Sequence, residues 1–236
     1  MSFREQIRNY TWEDIKKGIE SKTEIDAERA IASDRKNFDD LLSLLSPAAS
    51  SLIEEIAQEA HRLTQQRFGR TIQMYAPIYI SSECSNACKY CGFNRHNKIR
   101  RGTLTVEQVM EEAKALHGAG FCHVLLLTGE SPKHVNVGYL AQIAGRLRNI
   151  FSSIAIEVYP MDVESYRRLI DSGVDSLTVY QETYNLPYYK KVHPEGPKRD
   201  YGWRLDTPDR GGRAGFRRIN IGALLGLSEW RVEGAF

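Results

Sequence analysis

Three cysteines, Cys84, Cys88 and Cys91, stand in a Cys-x₃-Cys-x₂-Cys spacing on one short stretch of the chain. Thiols at that density suggest metal binding rather than a disulfide scaffold. A cubane [4Fe–4S] cluster normally takes four thiolates. Three would leave one iron without a protein ligand and open to a small molecule. A structural zinc site wants four closed ligands, for which His96 is the one nearby candidate, so zinc stays as the alternative. Cys122 stands apart at the start of a later apolar run and reads as a buried core thiol.

Polar residues gather where short apolar runs end. The run 124–127 leads into Thr128-Gly129-Glu130, and 154–156 leads into Glu157-Val158-Tyr159-Pro160. The run 177–180 ends in Gln181-Glu182-Thr183-Tyr184, and the last run contains Gly222 and ends in 222–226. A carboxylate beside an apolar strand is costly unless paired or liganded. Three such sets at equivalent ends, beside a cysteine loop, read as a site and not as three solvated turns. In a parallel barrel the working groups lie at the C-terminal ends of the strands, which is where these residues stand.

The elements that must carry them are legible in the patterning. Strand-like runs at 73–80, 123–127, 154–158, 177–180 and 219–223 alternate with helical stretches. Thr105 with Gln108 forms a capping box for a helix running to about His117, and Gly118 and Gly120 end it. Residues 136–150 and 162–171 give two more helices, the second stopped by Gly173. Thr207 and Pro208 read as N-cap and first position of a fourth. This alternation predicts an α/β fold with a parallel sheet of about five strands over residues 72–236. No Gly-x-Gly-x-x-Gly opens a helix, so a dinucleotide-binding fold lacks its fingerprint.

Residues 1–71 read as a helical extension packed on that sheet domain. Thr11 with Asp14 suggests a capping box, Thr23 opens a second helix, and Asn37 caps a third. A longer helix follows, with Leu52, Ile53, Ile56, Ala60 and Leu63 as its buried stripe and Gly69 as its C-cap.

The stretch Cys84-Ser-Asn-Ala-Cys88-Lys-Tyr90-Cys91-Gly-Phe93 resembles the signature of radical S-adenosylmethionine enzymes. In that superfamily the open iron chelates S-adenosyl-L-methionine, and an electron from the [4Fe–4S] cluster cleaves it to a 5′-deoxyadenosyl radical. The resemblance implies Cys84, Cys88 and Cys91 as cluster ligands. It places Thr128-Gly129-Glu130 where the superfamily has a Gly-Gly-Glu motif gripping the methionine amino group, with Thr replacing the first glycine. Tyr90 resembles the residue that packs on adenine. Glu157 matches a ribose- or methionine-contacting position, and Gly222 lies in a strand resembling the one that lines the adenine site.

The likeness extends from about Ile78 to Glu233 and is similar to the aromatic amino acid lyase branch. Its carriers are Tyr-Cys-Gly-Phe, Leu-Leu-Thr-Gly-Glu, Val-Tyr-Gln-Glu-Thr-Tyr-Asn and Gly-Ala-Leu-Leu-Gly-Leu. That branch implies cleavage of the Cα–Cβ bond of L-tyrosine to p-cresol and 2-iminoacetate. Residues 203–210 resemble the members serving thiamine thiazole synthesis more than those maturing [FeFe]-hydrogenase, while 192–198 fits both. A thiazole synthase is the implied partner, and reduced flavodoxin or ferredoxin the implied electron donor. Gln181, Glu182 and Tyr184 are candidate catalytic-pocket groups, with hydrogen bonding inside their own loop as the equal alternative. Arg204 either pairs with an acid on the same face or lies on a solvated helix approach.

Members of that branch carry a later strand with a Pro-Arg-x-Arg-Pro type clamp for the amino acid carboxylate. No such sequence occurs before Phe236, and Ser228 would cap only the start of a further helix. The expectation is an incomplete barrel, truncated before its sixth strand, that binds a cluster poorly and has no lyase activity by itself. A zinc-holding or partner-binding remnant without catalysis is the contrasting expectation.

The whole-chain figures narrow the setting. Against 32 Lys and Arg stand 30 Asp and Glu, a net +2, which gives no reason to expect a nucleic-acid or membrane partner. No apolar run reaches the ~18 residues of a membrane span. Arg4, Glu5 and Arg8 are followed by no apolar segment of signal-peptide type. A cytoplasmic protein is the expectation.

Overall fold

The computed structural model describes residues 2–236. The chain begins with helices α1 (Phe3–Ile7), α2 (Trp12–Glu20), α3 (Glu24–Ala32) and α4 (Phe38–Leu44), then a 3₁₀ turn, Pro47–Leu52, and α5 (Ile53–Phe68). Thr23 with Asp26 and Asn37 with Asp40 form reciprocal capping boxes. Thr11 supplies only half of one: its hydroxyl accepts from the Asp14 amide and donates to the Asp14 carboxylate. Gly69 ends α5 at φ 67°, a conformation costly for any residue with a Cβ.

The expected buried stripe on α5 is not buried. No residue of that helix is fully covered, and Ile53 is 67% exposed. α5 leans chiefly on α3 and the 3₁₀ turn, so its amphipathic pattern meets too little protein to be covered. α2 and α4 are covered instead by the end of the chain. Ile15, Ile19 and Leu42 pack with Val232 of α12 (Trp230–Ala235), and Trp12 stacks on Phe236 at 5.6 Å.

Five strands follow: β1 (Ala76–Ser81), β2 (His123–Thr128), β3 (Ser153–Glu157), β4 (Ser176–Glu182) and β5 (Arg218–Ala223). All pair in parallel, in the order β1-β2-β3-β4-β5. The fold is α/β with one parallel sheet, as the alternation implied. β1 starts at Ala76, where the ladder to Val124 begins, and not at Gln73. Helices α6 (Val106–Gly118), α7 (Val137–Leu147) and α8 (Val163–Asp171) fill the first three crossovers. The last crossover holds α9 (Leu186–Val192), a 3₁₀ turn at Pro197–Arg199, α10 (Tyr201–Leu205) and α11 (Thr207–Ala214).

The core lies between helices and sheet. Ile78, Ile80, Leu126, Ile154, Ile156 and Leu177 point into it and meet Val109, Leu140, Ile143 and Leu169. The opposite sheet face is only partly covered: Tyr79 and Tyr180 are 60% and 38% exposed, while Leu125 and Thr178 are buried. Side chains alternate across a strand, so one face is dry and the other lines an open concavity.

Two expected caps fall elsewhere. Asp206 and not Thr207 occupies the N-cap of α11, and the Thr207 hydroxyl donates to the Trp203 carbonyl. Glu229 and not Ser228 precedes α12, without a side-chain cap bond. No described helix is long and apolar enough to cross a membrane.

Burial separates the two kinds of apolar residue quantitatively. Leu126→Ala, at a fully covered site, should cost about 2–5 kcal/mol. Ile53→Ala should stay within about 0.5 kcal/mol. Urea unfolding of both variants tests this, and equal midpoints would contradict the packing described.

Candidate active site

Immediately after β1 the chain makes a long loop that returns to its own start. Ser81 bridges to Thr103, the Ser82 amide donates to the Gly102 carbonyl at 3.0 Å, and Arg101 donates to the Ser82 and Asn94 carbonyls at 2.7 Å each. Cys84, Cys88 and Cys91 lie inside this closed loop, with Cys88 buried and the other two half-buried. Burial pushes the Cys88 thiol up to about 11, so a metal must displace its proton to bind there.

Two further segments hold the loop. From the end of β2, the Glu130 carbonyl accepts from the Ser85 amide at 3.0 Å and from its hydroxyl at 2.7 Å, and the Glu130 carboxylate accepts from Asn86 at 2.9 Å. Gly129 is required by this contact: a Cβ there would lie 2.3 Å from the Glu83 carbonyl oxygen and 2.9 Å from the Cys84 Cβ. From the stretch after α9, the Val192 and Glu195 carbonyls accept from the Lys89 and Ala87 amides, and the Lys198 amide donates to Asn86 Oδ1 at 2.8 Å. His193 completes this grip. It is fully buried, and desolvation pushes its pKa down to about 4, so the ring is neutral. Its Nδ1 lies 2.9 Å from the Tyr189 carbonyl, which can only accept, so Nδ1 carries the hydrogen. Nε2 therefore accepts from the Tyr90 hydroxyl at 2.7 Å and fixes the ring between two of the cysteines.

A cavity of about 800 Å³, open mouth included, lies over the C-terminal ends of the strands. The three cysteines and Tyr90 form one wall. Thr128, Gly129 and Glu130 after β2, Glu157 at the end of β3 and Glu182 at the end of β4 form the other. The sequence-derived candidates Gln181, Tyr184 and Gly222 lie elsewhere. Gln181 points to the helical side and donates to the Tyr201 carbonyl. Tyr184 packs between Phe3 and Phe236. Gly222 faces the Tyr180 ring, which a Cβ would meet at 3.2 Å.

The cavity's carboxylates have unlike surroundings. Burial alone would raise Glu130, but Arg204 and then Lys198, with hydrogen bonds from Arg204 and Asn86, hold its pKa below the usual range. Arg204 is itself buried, donating to Glu130 at 2.7 Å and to the Tyr180 carbonyl at 2.6 Å, so of its two expected placements the paired one is observed. Glu157 is pushed upward, by burial first and then by Glu182. Glu182 pairs with Lys198 at 2.7 Å and has φ 71°, at the bulge where the β4–β5 register shifts. A non-glycine residue in that region is strained, and such strain gathers at functional sites. Thr128 Oγ1 is buried and has no partner.

Two expectations about metal-binding side chains are corrected. Cys122 is exposed, because it sits on the rim before β2 begins to pair, and it is not a core thiol. His96 is exposed and lies 3.2 Å from Glu195, turned to an acid. No three His, Cys, Asp or Glu side chains among the described residues converge on a single-ion position.

The Radical SAM superfamily profile matches residues 78–236, from the middle of β1 to the end of α12. The chain belongs to the radical SAM superfamily. Enzymes of this superfamily use a [4Fe–4S] cluster and S-adenosylmethionine. The 2-iminoacetate synthases of Salmonella typhimurium and Escherichia coli are 46% and 45% identical to this radical SAM chain over 233 residues, 98% of its length. The chain spans 62% of the length of each. The crystal structure of HydG, a maturase of the [FeFe]-hydrogenase, superimposes with a TM-score of 0.87 at 28% identity. It covers 98% of this chain and 52% of HydG. The residues present fit the superfamily's cofactors. Three thiols leave one position of a four-thiolate cluster open, and the carboxylates of Glu130, Glu157 and Glu182 line the same space.

Asn86, His193, Lys198 and the pairing of Arg204 are not separately legible in the sequence. Asn86 is one of the unassigned positions between the cysteines, and the others come from the far side of β4. The buried pair gives a stability test. Glu130 has a depressed folded-state pKa, so its contribution is present above its unfolded value and lost as pH falls through the folded one. Arg204→Met leaves the carboxylate unpaired and should cost about 3–5 kcal/mol at neutral pH. The gap from wild type should narrow in acid. Urea titrations at about pH 7 and pH 4 measure it, and a gap independent of pH would refute the assignment.

Proposed function

We propose that this sequence forms the cluster-binding part of a radical SAM carbon–carbon lyase that cleaves L-tyrosine between Cα and Cβ to 2-iminoacetate and p-cresol. The product would serve thiamine thiazole synthesis. The observation that carries the reading is identity of 46% to a 2-iminoacetate synthase over nearly the whole chain. The cavity supports it, because three thiols and the strand-end carboxylates line one space. The reaction is proposed for the protein in which these residues operate, with a thiazole synthase as the consumer of the product and a cytoplasmic setting.

A bound cluster would supply one-electron reduction of S-adenosylmethionine, and with it radical chemistry at the substrate. Cys84, Cys88 and Cys91 would hold the cluster and, being three, would leave one of its positions without a thiolate. Glu130 has one oxygen engaged by Arg204 and the other by Asn86, which immobilises the carboxylate while each oxygen keeps a lone pair. It can therefore accept from the ammonium group of S-adenosylmethionine without reorganising. Thr128 and Gly129 line the cavity beside it. Tyr90, held by His193, offers a ring face of fixed orientation to the adenine. Glu157, at the end of β3, lines the same cavity and can accept a hydrogen bond from a ribose hydroxyl. The hard chemistry belongs to the cofactor, and the chain binds, orients and excludes water.

Replacing the matched segment of the Salmonella enzyme by this chain tests the reading. The chimera, reconstituted without oxygen, should hold about four iron and four sulfide in this cluster. It should also form p-cresol from tyrosine. Cys84→Ala in the chimera should lose both. A chimera that retains the cluster and cleaves S-adenosylmethionine but yields no p-cresol would sink the lyase assignment and leave the cofactor assignment intact.

A further inference from the structure

A near-neutral chain carries a conspicuous local excess of positive charge beside its cysteines. Between Glu83 and Glu107 stand Lys89, Arg95, Lys98, Arg100 and Arg101, with no Asp or Glu among them. Arg95, Lys98 and Arg100 are exposed, as is Lys133 on the loop after β2. Among the described residues none of these four forms an ion pair, whereas cations elsewhere, such as Arg62, Arg146 and Arg217, do. The cysteine loop and the loop after β2 come together. Arg95, Arg101, Lys133 and His134 line a shallow outer depression whose floor includes Cys84 and Glu83. Cys84 also lines the inner cavity. One cysteine thus forms part of the wall between the substrate side and a basic outer surface.

Resting on the proposed radical SAM reading, we infer that this outer face docks an acidic one-electron carrier protein and that electrons enter the cluster on the Cys84 side. The inner cavity cannot serve that purpose, because S-adenosylmethionine and substrate must fill it. A protein-sized reductant needs a route to the cluster that leaves the cavity closed, and the outer depression ends on a cluster-ligand cysteine. Unpaired surface cations attract a negatively charged partner over roughly a Debye length, ~8–10 Å at ordinary ionic strength, and steer its encounter. Ile99, 41% exposed in the middle of the basic loop, adds an apolar contact to a surface otherwise specified by charge. Nucleic acid is disfavoured by the near-neutral charge of the whole chain, a net +2. The step balances simply. One electron leaves the reduced carrier and enters the cluster, the carrier is oxidised by one electron, and no bond or proton is transferred.

The test is calorimetric binding of purified flavodoxin, an acidic carrier used as the probe. The ligands are the reconstituted chimera carrying this chain in place of the matched Salmonella segment, its triple variant R95E/K98E/K133E, and a control of equal charge change on the helical extension, R35E/R67E/R70E. Arg101 is left intact because it holds the loop together. The parent chimera should bind, more weakly as salt rises. The outer-face variant should bind at least about tenfold more weakly, and the control should match the parent. Reduced methyl viologen, a small cation, should reduce the cluster of every variant equally, which shows that the cysteines are undisturbed. Equal binding by parent and outer-face variant, or equal loss in the control, would overturn the inference. Duplex DNA binding in place of the carrier, lost in the outer-face variant, would overturn it too. None of these readouts requires p-cresol. A failed lyase assay with salt-sensitive, face-specific carrier binding would refute the reaction and leave the docking face standing.

Discussion

The buried pair of Glu130 and Arg204 is the constraint on which the site depends. A carboxylate at the end of β2 and a guanidinium on α10 meet at 2.7 Å with little solvent near either. Such a pair gains little net stability over an apolar substitute, because both charges must be stripped of water. What it supplies is geometry. Arg204 also donates to the Tyr180 carbonyl of β4, and Glu130 also accepts from Asn86 of the cysteine loop. Two strands, one crossover helix and the cysteine loop are thereby joined through a single carboxylate. Displacing any one leaves a buried charge or amide without its partner, and that asymmetry holds the loop in one arrangement.

The hydrogen bonds from the β4–α10 crossover add a second, independent hold. The carbonyls of Val192 and Glu195 and the amide of Lys198 all engage the loop's backbone or Asn86. Gly196 has φ 91°, and a Cβ there would fall 2.4 Å from Asn86 Oδ1, so the close approach needs glycine. A loop of about twenty residues without regular structure would ordinarily be mobile. Here its backbone groups are accounted for from three sides, and three thiols stay in register with the strand ends.

Sheet and crossover helices were legible because their signals are local. Alternating short apolar runs, the Thr105–Gln108 box and the glycines after helices each act within a few residues, and all appear near their expected places. The cysteines and the strand-end acids were legible as a group because parallel topology brings C-terminal strand ends to one rim. What failed needed tertiary knowledge. Cys122 looks like a core residue by type, yet lies one residue before the ladder starts. Gln181 and Glu182 are adjacent in sequence, but alternation across β4 sends only the second to the cavity. The stripe on α5 has the right period and no partner large enough to cover it. Arg204 could have been solvated or paired, and only the fold shows that seventy-odd residues separate it from the acid it neutralises.

The same loop therefore has two sides of different chemistry. Its inner side meets strand-end groups whose hydrogen bonds and charges suit a small polar ligand: the fixed carboxylate of Glu130, with Glu157 and Glu182 beside it. Its outer side carries Arg95, Lys98 and Arg100, exposed and without an ion pair among the described residues. Under the radical chemistry proposed above, such a separation would let a reductant approach one side while the inner cavity stays closed to it and to solvent. Closing the loop on Ser81 and Thr103, and pinning it through Glu130 and the segment around His193, turns a stretch of irregular backbone into that partition. The positions of the cysteines within it decide on which side each is reachable, and Cys84 borders both.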